Sequence, residues 1–460
     1  MNTVRLTVDT NKINHPSTGG FGFQFDAAYL REFNTKRGVG EHEIENVYAK
    51  RWKELAPGMA RFILNIDWWE REEGVQTWDS EPMRALYRHL DLIKSTNTIA
   101  FPTVWYYRGG TPPWLDSKDE ICVSEETQRK FARTVVDALD YLITVKGYDN
   151  IKYFCISNEL GGCNKGGFLS LEEFKGHNVK IMEELKSRGK EGLFGLAGTD
   201  QSADWDLPDF WDIIRWDSLV WAAQNMDECL ALYDGHMYMG YCGSKKSYAN
   251  LEASLRFGAD LARKMGKDFI IGEFGPQFTG GGTWLNPQKD NPDYGILLAE
   301  YAIAMLNSGT YTILNWIFAD MYYSETTLQQ WGLMHDATHN FTARPSYYSY
   351  GLFCKYFRPD SRSFQTKTED EDVRIGAVCH NPSGQYSIAA VSRKESETQI
   401  HVSVNGDRSD ITLRRYIYNP KHPPFNPNAD LPPPTGTVQM KNGMFTDVVP
   451  EDCLVIYTSV

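Results

Sequence analysis

Two short stretches, Ile156-Ser157-Asn158-Glu159 and Ile270-Ile271-Gly272-Glu273, decide how this sequence is interpreted. Each follows a run of apolar residues and ends in a glutamate where the expected strand gives way to a turn. An asparagine stands directly before the first glutamate, and Phe274-Gly275-Pro276 interrupts the strand after the second. The fold of the remaining chain determines whether these two carboxylates meet.

The segment from about residue 20 to 345 alternates apolar, strand-like runs with longer amphipathic, helical patterns. The apolar runs cover residues 20–26, 59–65, 98–107, 152–159, 193–200, 231–238, 269–274 and 311–318. Between them, Ser170 followed by Glu173 forms the capping-box pattern that opens a helix. Eight nearly continuous apolar runs separated by helices predict a parallel sheet that is covered by helices.

A closed sheet fits this alternation better than an open one. A doubly wound sheet usually carries a glycine-rich turn after its first strand, whereas Gly19-Gly20 precedes the strand here. We therefore predict an α/β fold, a (β/α)₈ TIM barrel over residues 15–348. Glu159 and Glu273 then end the fourth and seventh strands, at the barrel face where active sites form.

The sequence pattern changes after about residue 350. Short alternating runs such as 373–379, 386–392 and 399–404 are separated by turns rich in Asn, Pro and Gly, with no helical pattern between them. This pattern of short alternating runs and turns predicts a C-terminal antiparallel β-sandwich over residues 349–460. We expect an N-terminal strand within residues 1–14 to join it, because chain termini often lie close together.

Composition narrows the possible partners. The 460 residues carry a net charge of −13 and a pI near 5.3, which argues against a nucleic-acid or anionic-membrane partner. No run of about 18 apolar residues predicts a transmembrane helix. The N-terminal residues lack an apolar signal core, so we expect a cytoplasmic protein, or a secreted one if a signal has been removed. Oligomeric state stays open.

Arg61 and Asn158 are the first candidates for roles beside the glutamates. Arg61 lies within an apolar strand, where a guanidinium is costly to bury unless a carboxylate pairs with it. It is either a structural ion pair or the cation that holds a catalytic carboxylate in place. Asn158 is suited to bind a sugar 2-hydroxyl, a bond that strengthens in the transition state of glycoside hydrolysis.

Further candidates end the third, sixth and eighth strands. His236 and Tyr238 are two residues apart, so they point to the same side of a strand. We predict that Tyr238 donates a hydrogen bond to a nucleophile and that His236 orders nearby groups; a buried structural histidine is the alternative. Trp316 and Trp105 are candidate platforms for apolar sugar faces, or else core residues.

These residues, taken in order, resemble glycoside hydrolase clan A, the retaining (β/α)₈ enzymes. The resemblance covers about residues 20–345, and the appended sandwich is similar to the family 30, 39 and 51 type. It implies that Glu159 is the acid/base, Glu273 the nucleophile, and that Arg61 and Tyr238 keep Glu273 charged. The chain differs at the third strand end, where it has Trp105-Tyr106-Tyr107 instead of the histidine of several clan families, so the sugar stays open.

The prediction is thus a retaining glycoside hydrolase that cleaves β-linked glycosides in an oligosaccharide, polysaccharide or simple glycoside. Neither a metal ion nor an organic cofactor is expected: the cysteines form no CxxC pair, and His236 with Asp234 alone does not make a metal site. Three alternatives remain. They are a non-catalytic carbohydrate-binding barrel, a metal-dependent barrel hydrolase, and a transglycosylase that uses the same site.

Overall fold

The computed structural model describes residues 3–104, 111–115, 124–159, 169–202, 213–238, 245–276 and 285–460. In these ranges the chain forms a parallel barrel and a large, mainly antiparallel sheet that packs on it. No helix within them combines the length and the apolar character needed to span a bilayer.

All eight predicted barrel strands are present. They are β2 (Phe21–Gln24), β3 (Met59–Leu64), β4 (Ile99–Val104), β5 (Tyr153–Phe154), β6 (Gly195–Ser202), β7 (Leu232–Met237), β8 (Asp268–Phe274) and β9 (Thr312–Asn315). They lie parallel in the order β4-β3-β2-β9-β8-β7-β6-β5. Every residue of β2, β3, β7 and β9 is buried, as expected for strands covered on both faces.

The barrel closes between β4 and β5. Parallel bridges join Ala100 to Ile151 and Thr103 to Cys155, and Cys155 N donates to Pro102 O over 3.1 Å. Pro102 has no N–H of its own, so it cannot donate in return to β5. The missing donor explains why this seam is held by separate bridges instead of a continuous ladder.

The helices surround the barrel. They are α1 (Glu32–Thr35), α2 (Glu41–Glu43), α3 (Lys50–Leu55), α4 (Glu81–Ser95), α5 (Glu125–Asp140), α6 (Leu171–Ser187), α7 (Asp217–Asn225), α8 (Lys245–Lys264), α9 (Asp293–Ser308) and α10 (Pro345–Tyr356). The predicted capping box at α6 is confirmed: Ser170 Oγ accepts from Glu173 N over 3.3 Å, and Ser170 N donates to Glu173 Oε2 over 2.6 Å. A two-strand hairpin, β10 (Met321–Tyr322) and β11 (Leu328–Gln329), follows β9.

The second unit is a nine-stranded sheet. Its strands are β1 (Thr3–Thr18), β12 (Ser361–Thr368), β13 (Val373–His380), β14 (Tyr386–Ser392), β15 (Thr398–Asn405), β16 (Ile411–Tyr418), β17 (Gly436–Met440), β18 (Met444–Val449) and β19 (Cys453–Thr458). Strand β1 lies between two later strands, antiparallel to β12 and parallel to β15. The N-terminal strand is therefore internal to this sheet.

One apolar core fills the interior of the sheet. Each strand contributes to it, for example Val4, Phe364, Ile375, Ile388, Val402, Leu413, Met440, Phe445 and Val455. Buried and less buried residues alternate along β15, as they do in a strand with one face inward. Because all nine strands face the same core, the sheet folds over itself as a β-sandwich.

The outer face of the sandwich packs on α9 and α10. Glu300 of α9 pairs with Arg374 of β13 at 3.0 Å, with both side chains buried, and Tyr356 of α10 donates to Tyr416 over 2.8 Å. Helix α10 extends across positions 348 and 349, so the predicted boundary between the barrel and the sandwich falls inside this helix. The 14/15 boundary likewise falls inside β1.

Candidate active site

The two glutamates meet at the carboxyl ends of the barrel strands. Glu273 lies on β8, and Glu159 follows β5; both are buried, at 3% and 8% exposure. An oxygen of each carboxyl group lies within 4.8 Å of the other and of a ring nitrogen of His236. The fold therefore brings together the two carboxylates that are 114 residues apart in the sequence.

Arg61 donates hydrogen bonds to four residues of this cluster. From the middle of β3 its Nη1 donates to Glu273 Oε1 at 2.6 Å and to Gln24 Oε1 at 3.0 Å. Its Nη2 donates to Asn158 Oδ1 at 2.8 Å and to Asp200 Oδ2 at 2.9 Å. The side chain is fully buried, and two carboxylates compensate the cost of burying its charge.

His236 lies on β7, and Tyr238 directly follows the end of that strand. Tyr238 OH donates to Glu273 Oε2 over 2.7 Å, so each oxygen of that carboxylate receives a short hydrogen bond. The His236 ring lies between two carboxyl groups, with Nδ1 at 3.1 Å from Glu159 Oε1 and Nε2 at 2.7 Å from Asp200 Oδ1. The ring fixes Glu159 relative to the rest of the cluster.

Sequence reasoning missed Asp200 and Gln24. Asp200 Oδ2 accepts from Arg61 and from the backbone N of Glu159, each over 2.9 Å, and its Oδ1 lies 2.7 Å from His236 Nε2. Gln24 accepts from Arg61 and donates to Asp26 Oδ1 over 2.9 Å. The available signal was their position: each lies at or near the end of an apolar run, as both glutamates do.

Local irregularities of the strands aim these side chains. The β6–β7 register shifts between Thr199 and Gln201, and β8 shifts against both its neighbours around Gly272 and Glu273. Such bulges redirect side chains next to active sites. Asp200 and Glu159 also have left-handed backbones, with φ of 57° and 50°, a conformation that costs about 1–3 kcal/mol for a non-glycine residue.

Burial and charge act in opposite directions on the ionisable groups. Burial raises the pKa of Glu273 to about 7, against the lowering effect of His236 and Arg61. Burial alone would lower the pKa of His236, but Asp200 and Glu273 raise it well above its usual value. For Asp200, Arg61 and His236 outweigh burial and lower the pKa. The result is a buried ion network in which Glu273 is the group poised to titrate near neutrality.

The aromatic candidates are placed less centrally. Trp316 follows β9, is half-buried, and stacks on Tyr323 with ring centroids 6.4 Å apart at 16°. Its backbone N donates to Phe274 O over 2.9 Å, next to the nucleophile candidate. Trp105 lies outside the described residues.

Two donor sets are compact enough to consider for a metal ion: Glu159, His236 and Glu273, and the buried group Asp200, Asp234 and His236. The second set contains Asp200, which the sequence reasoning did not count. In both sets His236 already bridges carboxylates through its two ring nitrogens, and Arg61 supplies a cation to Asp200 and Glu273. A metal ion would have to displace these bonds, so the donors fit an ion network better than a metal site.

The same fold occurs in solved carbohydrate-active enzymes. The catalytic domain of a family 30 xylanase C from Talaromyces cellulolyticus is 15% identical, with 99% of each chain covered and a TM-score of 0.69. A family 30 subfamily 8 xylanase from Clostridium acetobutylicum is 13% identical over 99% of each chain, with a TM-score of 0.67. A family 51 α-L-arabinofuranosidase from Bifidobacterium longum is 13% identical over 99% of this chain and 100% of that one, with a TM-score of 0.66.

These likenesses confirm the predicted barrel-plus-sandwich fold and its similarity to clan A structures. No protein-family profile matches the sequence, and no curated protein sequence matches it. At identities of 12–15% for the family 30 xylanases, the likeness extends to the fold and leaves the substrate unassigned.

Proposed function

We propose that the protein is a retaining glycoside hydrolase that acts on β-linked glycosides. The observation that carries the proposal is the pair of short bonds from Arg61 and Tyr238 to opposite oxygens of Glu273, with Glu159 alongside. Two donors on one carboxylate favour its ionised form, which a nucleophile requires. Glu159 Oε1 lies 3.1 Å from His236 Nδ1, which is also 3.5 Å from Glu273 Oε2.

The reaction takes two steps. Glu273 attacks the anomeric carbon; the bond from that carbon to the leaving oxygen breaks, and the proton of Glu159 passes to that oxygen. Water then attacks the anomeric carbon of the glycosyl-enzyme, Glu159 takes up its proton, and Glu273 is released as a carboxylate. The sum is one glycoside plus one water giving a free sugar, as its hemiacetal, and one alcohol, with retention at the anomeric centre.

The separation of the carboxyl groups supports retention. In retaining enzymes the two groups are about 5–5.5 Å apart, against about 6.5–9.5 Å in inverting enzymes. In this structure one oxygen of Glu159 lies within 4.8 Å of one oxygen of Glu273, so the two groups are close neighbours, as the shorter spacing requires. The wider spacing would be needed to hold a water molecule between the second carboxylate and the sugar.

Asn158 and Trp316 are suited to bind the sugar. Arg61 holds the Oδ1 of Asn158 at 2.8 Å, which orients the amide so that its NH₂ group can donate to a sugar hydroxyl. Trp316 is half-buried and supported from behind by the stacked Tyr323. A ring in this position can receive the apolar face of a sugar.

A panel of nitrophenyl glycosides and β-linked oligosaccharides tests the proposal, with the anomer of the first-formed product read by NMR. We expect the β-anomer from a β-glycoside. Glu273→Ala should abolish turnover, and Glu159→Ala should retain activity only on substrates with good leaving groups, with azide raising the rate and giving a glycosyl azide.

Asp227→Asn is a matched control, because Asp227 bonds Tyr233 and Lys267 at the opposite end of β7. It should hydrolyse the same substrates at the wild-type rate. An α-anomer as first product, or normal turnover by either glutamate variant, would refute the two-glutamate mechanism. Binding of oligosaccharides without any hydrolysis would favour a carbohydrate-binding barrel.

A further inference from the structure

Behind the catalytic cluster lies a carboxyl group that the proposed reaction does not use. Asp234 is on β7, is fully buried, and has an oxygen within 4.8 Å of donor atoms of Asp200 and His236. Its Oδ2 is buried and accepts no hydrogen bond from the residues that the structure describes, so a proton on Asp234 can be donated to the neighbouring carboxylate of Asp200. Asp200 in turn contacts Arg61, His236 and the backbone of Glu159.

The other oxygen of Asp234 holds the backbone beside the nucleophile candidate. Gly272 N donates to Asp234 Oδ1 over 2.9 Å. Gly272 lies at the β8 register shift, where a bulge leaves a backbone group without its ladder partner. A Cβ at position 272 would lie 2.5 Å from Asp234 Oδ1, so glycine is required for this approach.

We propose that Asp234 is a positioning residue: its carboxyl group ties Asp200 to the bulge of the strand that carries Glu273. Through Asp200 it sets the position of Arg61, His236 and Glu159, and through Gly272 it sets that of Glu273. Both catalytic candidates are thereby fixed to one buried group. The expected effect of Asp234 on catalysis rests on the proposed glycosidase function, whereas its position beside Asp200 and Gly272 rests on the geometry alone.

The bonding pattern requires Asp234 to be the neutral member of the pair. Asp200 Oδ2 already accepts hydrogen bonds from Arg61 and from the backbone N of Glu159, and its Oδ1 lies 2.7 Å from His236 Nε2, so Asp200 is the carboxylate. Burial and the negative charge of Asp200 both raise the pKa of Asp234. With Asp234 neutral, two cations (Arg61, His236) balance two anions (Asp200, Glu273).

Two substitutions separate this role from a general effect on folding. Asp234→Asn keeps an oxygen for Gly272 N and gives Asp200 an N–H donor, so we expect kcat/KM within about threefold of wild type and an unchanged pH profile. Asp234→Ala removes both bonds, and we expect kcat to fall about 10- to 100-fold with little change in KM, because misplaced catalytic groups cost rates of this order. Asp227→Asn, near the other end of β7, is the control and should match wild type.

A double-mutant cycle tests whether Asp234 acts through Asp200. In an Asp200→Asn background, Asp234→Ala should cost much less than in the wild type, because the two groups form one unit. Equal costs in both backgrounds would contradict the proposal. So would an Asp234→Asn variant as impaired as Asp234→Ala, or a folded Asp234→Ala variant with wild-type kcat.

Infrared difference spectra of wild type minus Asp234→Asn provide a readout without turnover. The difference should contain the carbonyl stretch of a protonated carboxylic acid; loss of carboxylate bands alone would overturn the proposal. This measurement needs no substrate and holds even if Asp234→Ala fails to fold. Failure of the wild type to hydrolyse any glycoside would instead count against the proposed function.

Discussion

Removal of the Tyr238 hydroxyl should change the pH dependence of activity in a calculable way. Tyr238→Phe deletes the 2.7 Å hydrogen bond to Glu273 Oε2 and leaves the ring in place. A hydrogen bond to a charged group contributes about 1.5–3 kcal/mol. Because the bond favours the ionised carboxylate, its loss raises the pKa of Glu273, by about 1–2 pH units at about 1.4 kcal/mol each.

The size of the effect then depends on pH. With the pKa of Glu273 at about 7, roughly one-tenth of the wild type is ionised at pH 6. In the variant this fraction falls to about one-hundredth or one-thousandth, so kcat/KM at pH 6 should drop about 10- to 100-fold. At pH 9 Glu273 is almost fully ionised in the wild type and about half to nine-tenths ionised in the variant, so the variant should lie within about twofold of wild type.

The assay is kcat/KM from pH 5 to 9 on an aryl glycoside that the wild type hydrolyses, with the ratio of variant to wild type taken at each pH. Tyr233→Phe is a matched control: it lies on the same strand and loses a 2.8 Å bond to the carboxylate of Asp227, away from the site. Its ratio should stay near one throughout. A Tyr238→Phe ratio that is constant across the pH range would refute control of Glu273 ionisation by Tyr238.

Three further predictions concern charge, binding and metal. Arg61→Met should lower the free energy of unfolding by about 3–5 kcal/mol in urea titrations, because it leaves buried carboxylates unpaired. Arg129→Met is the control: it breaks the exposed Arg129–Glu125 pair, which has the same 2.6 Å length as the Arg61–Glu273 pair. It should change the free energy of unfolding by less than about 1 kcal/mol. In a Glu273→Ala background, Trp316→Ala should weaken oligosaccharide binding about tenfold by calorimetry, since stacking on an aromatic ring is worth about 1 kcal/mol beyond its area; unchanged affinity would exclude Trp316 as a platform. Dialysis against EDTA should leave activity unchanged, because Arg61 and His236 supply the positive charge at the site; loss that zinc or calcium restores would favour a metal-dependent hydrolase.

The barrel could be predicted because its strands are buried on both faces. Continuous apolar runs at 59–65 and 269–274 mark such strands directly, and the observed strands begin within one residue of those limits. The β4–β5 seam was beyond prediction, because its separate bridges depend on Pro102 meeting β5 in the closed barrel. The sequence pattern changes near residues 14 and 348, whereas β1 and α10 continue through these positions because they pack on distant segments.

The candidate site was predictable where a residue carries its own signal. Arg61 is conspicuous in an apolar strand, and His236 and Tyr238 share one side of another. Asp200 and Gln24 have only their position near the end of an apolar run as a signal, and the contacts that make them important depend on bulges and neighbours that only the folded barrel defines. The sequence supplies the groups, and the local backbone irregularities decide which of them touch.

Strand β1 lies between β12 and β15 inside the sandwich, and this position has a consequence for biosynthesis. Thr3 pairs with Gln399, which is 396 residues further along the chain. At about 5–20 residues per second, a ribosome needs roughly 20–80 s to supply that partner. Until β12 and β15 have been made, the apolar side chains Val4, Leu6 and Val8 have neither neighbouring strand to pack beside. The sandwich is thus completed last, and a C-terminal fragment expressed alone would lack the strand that joins β12 to β15.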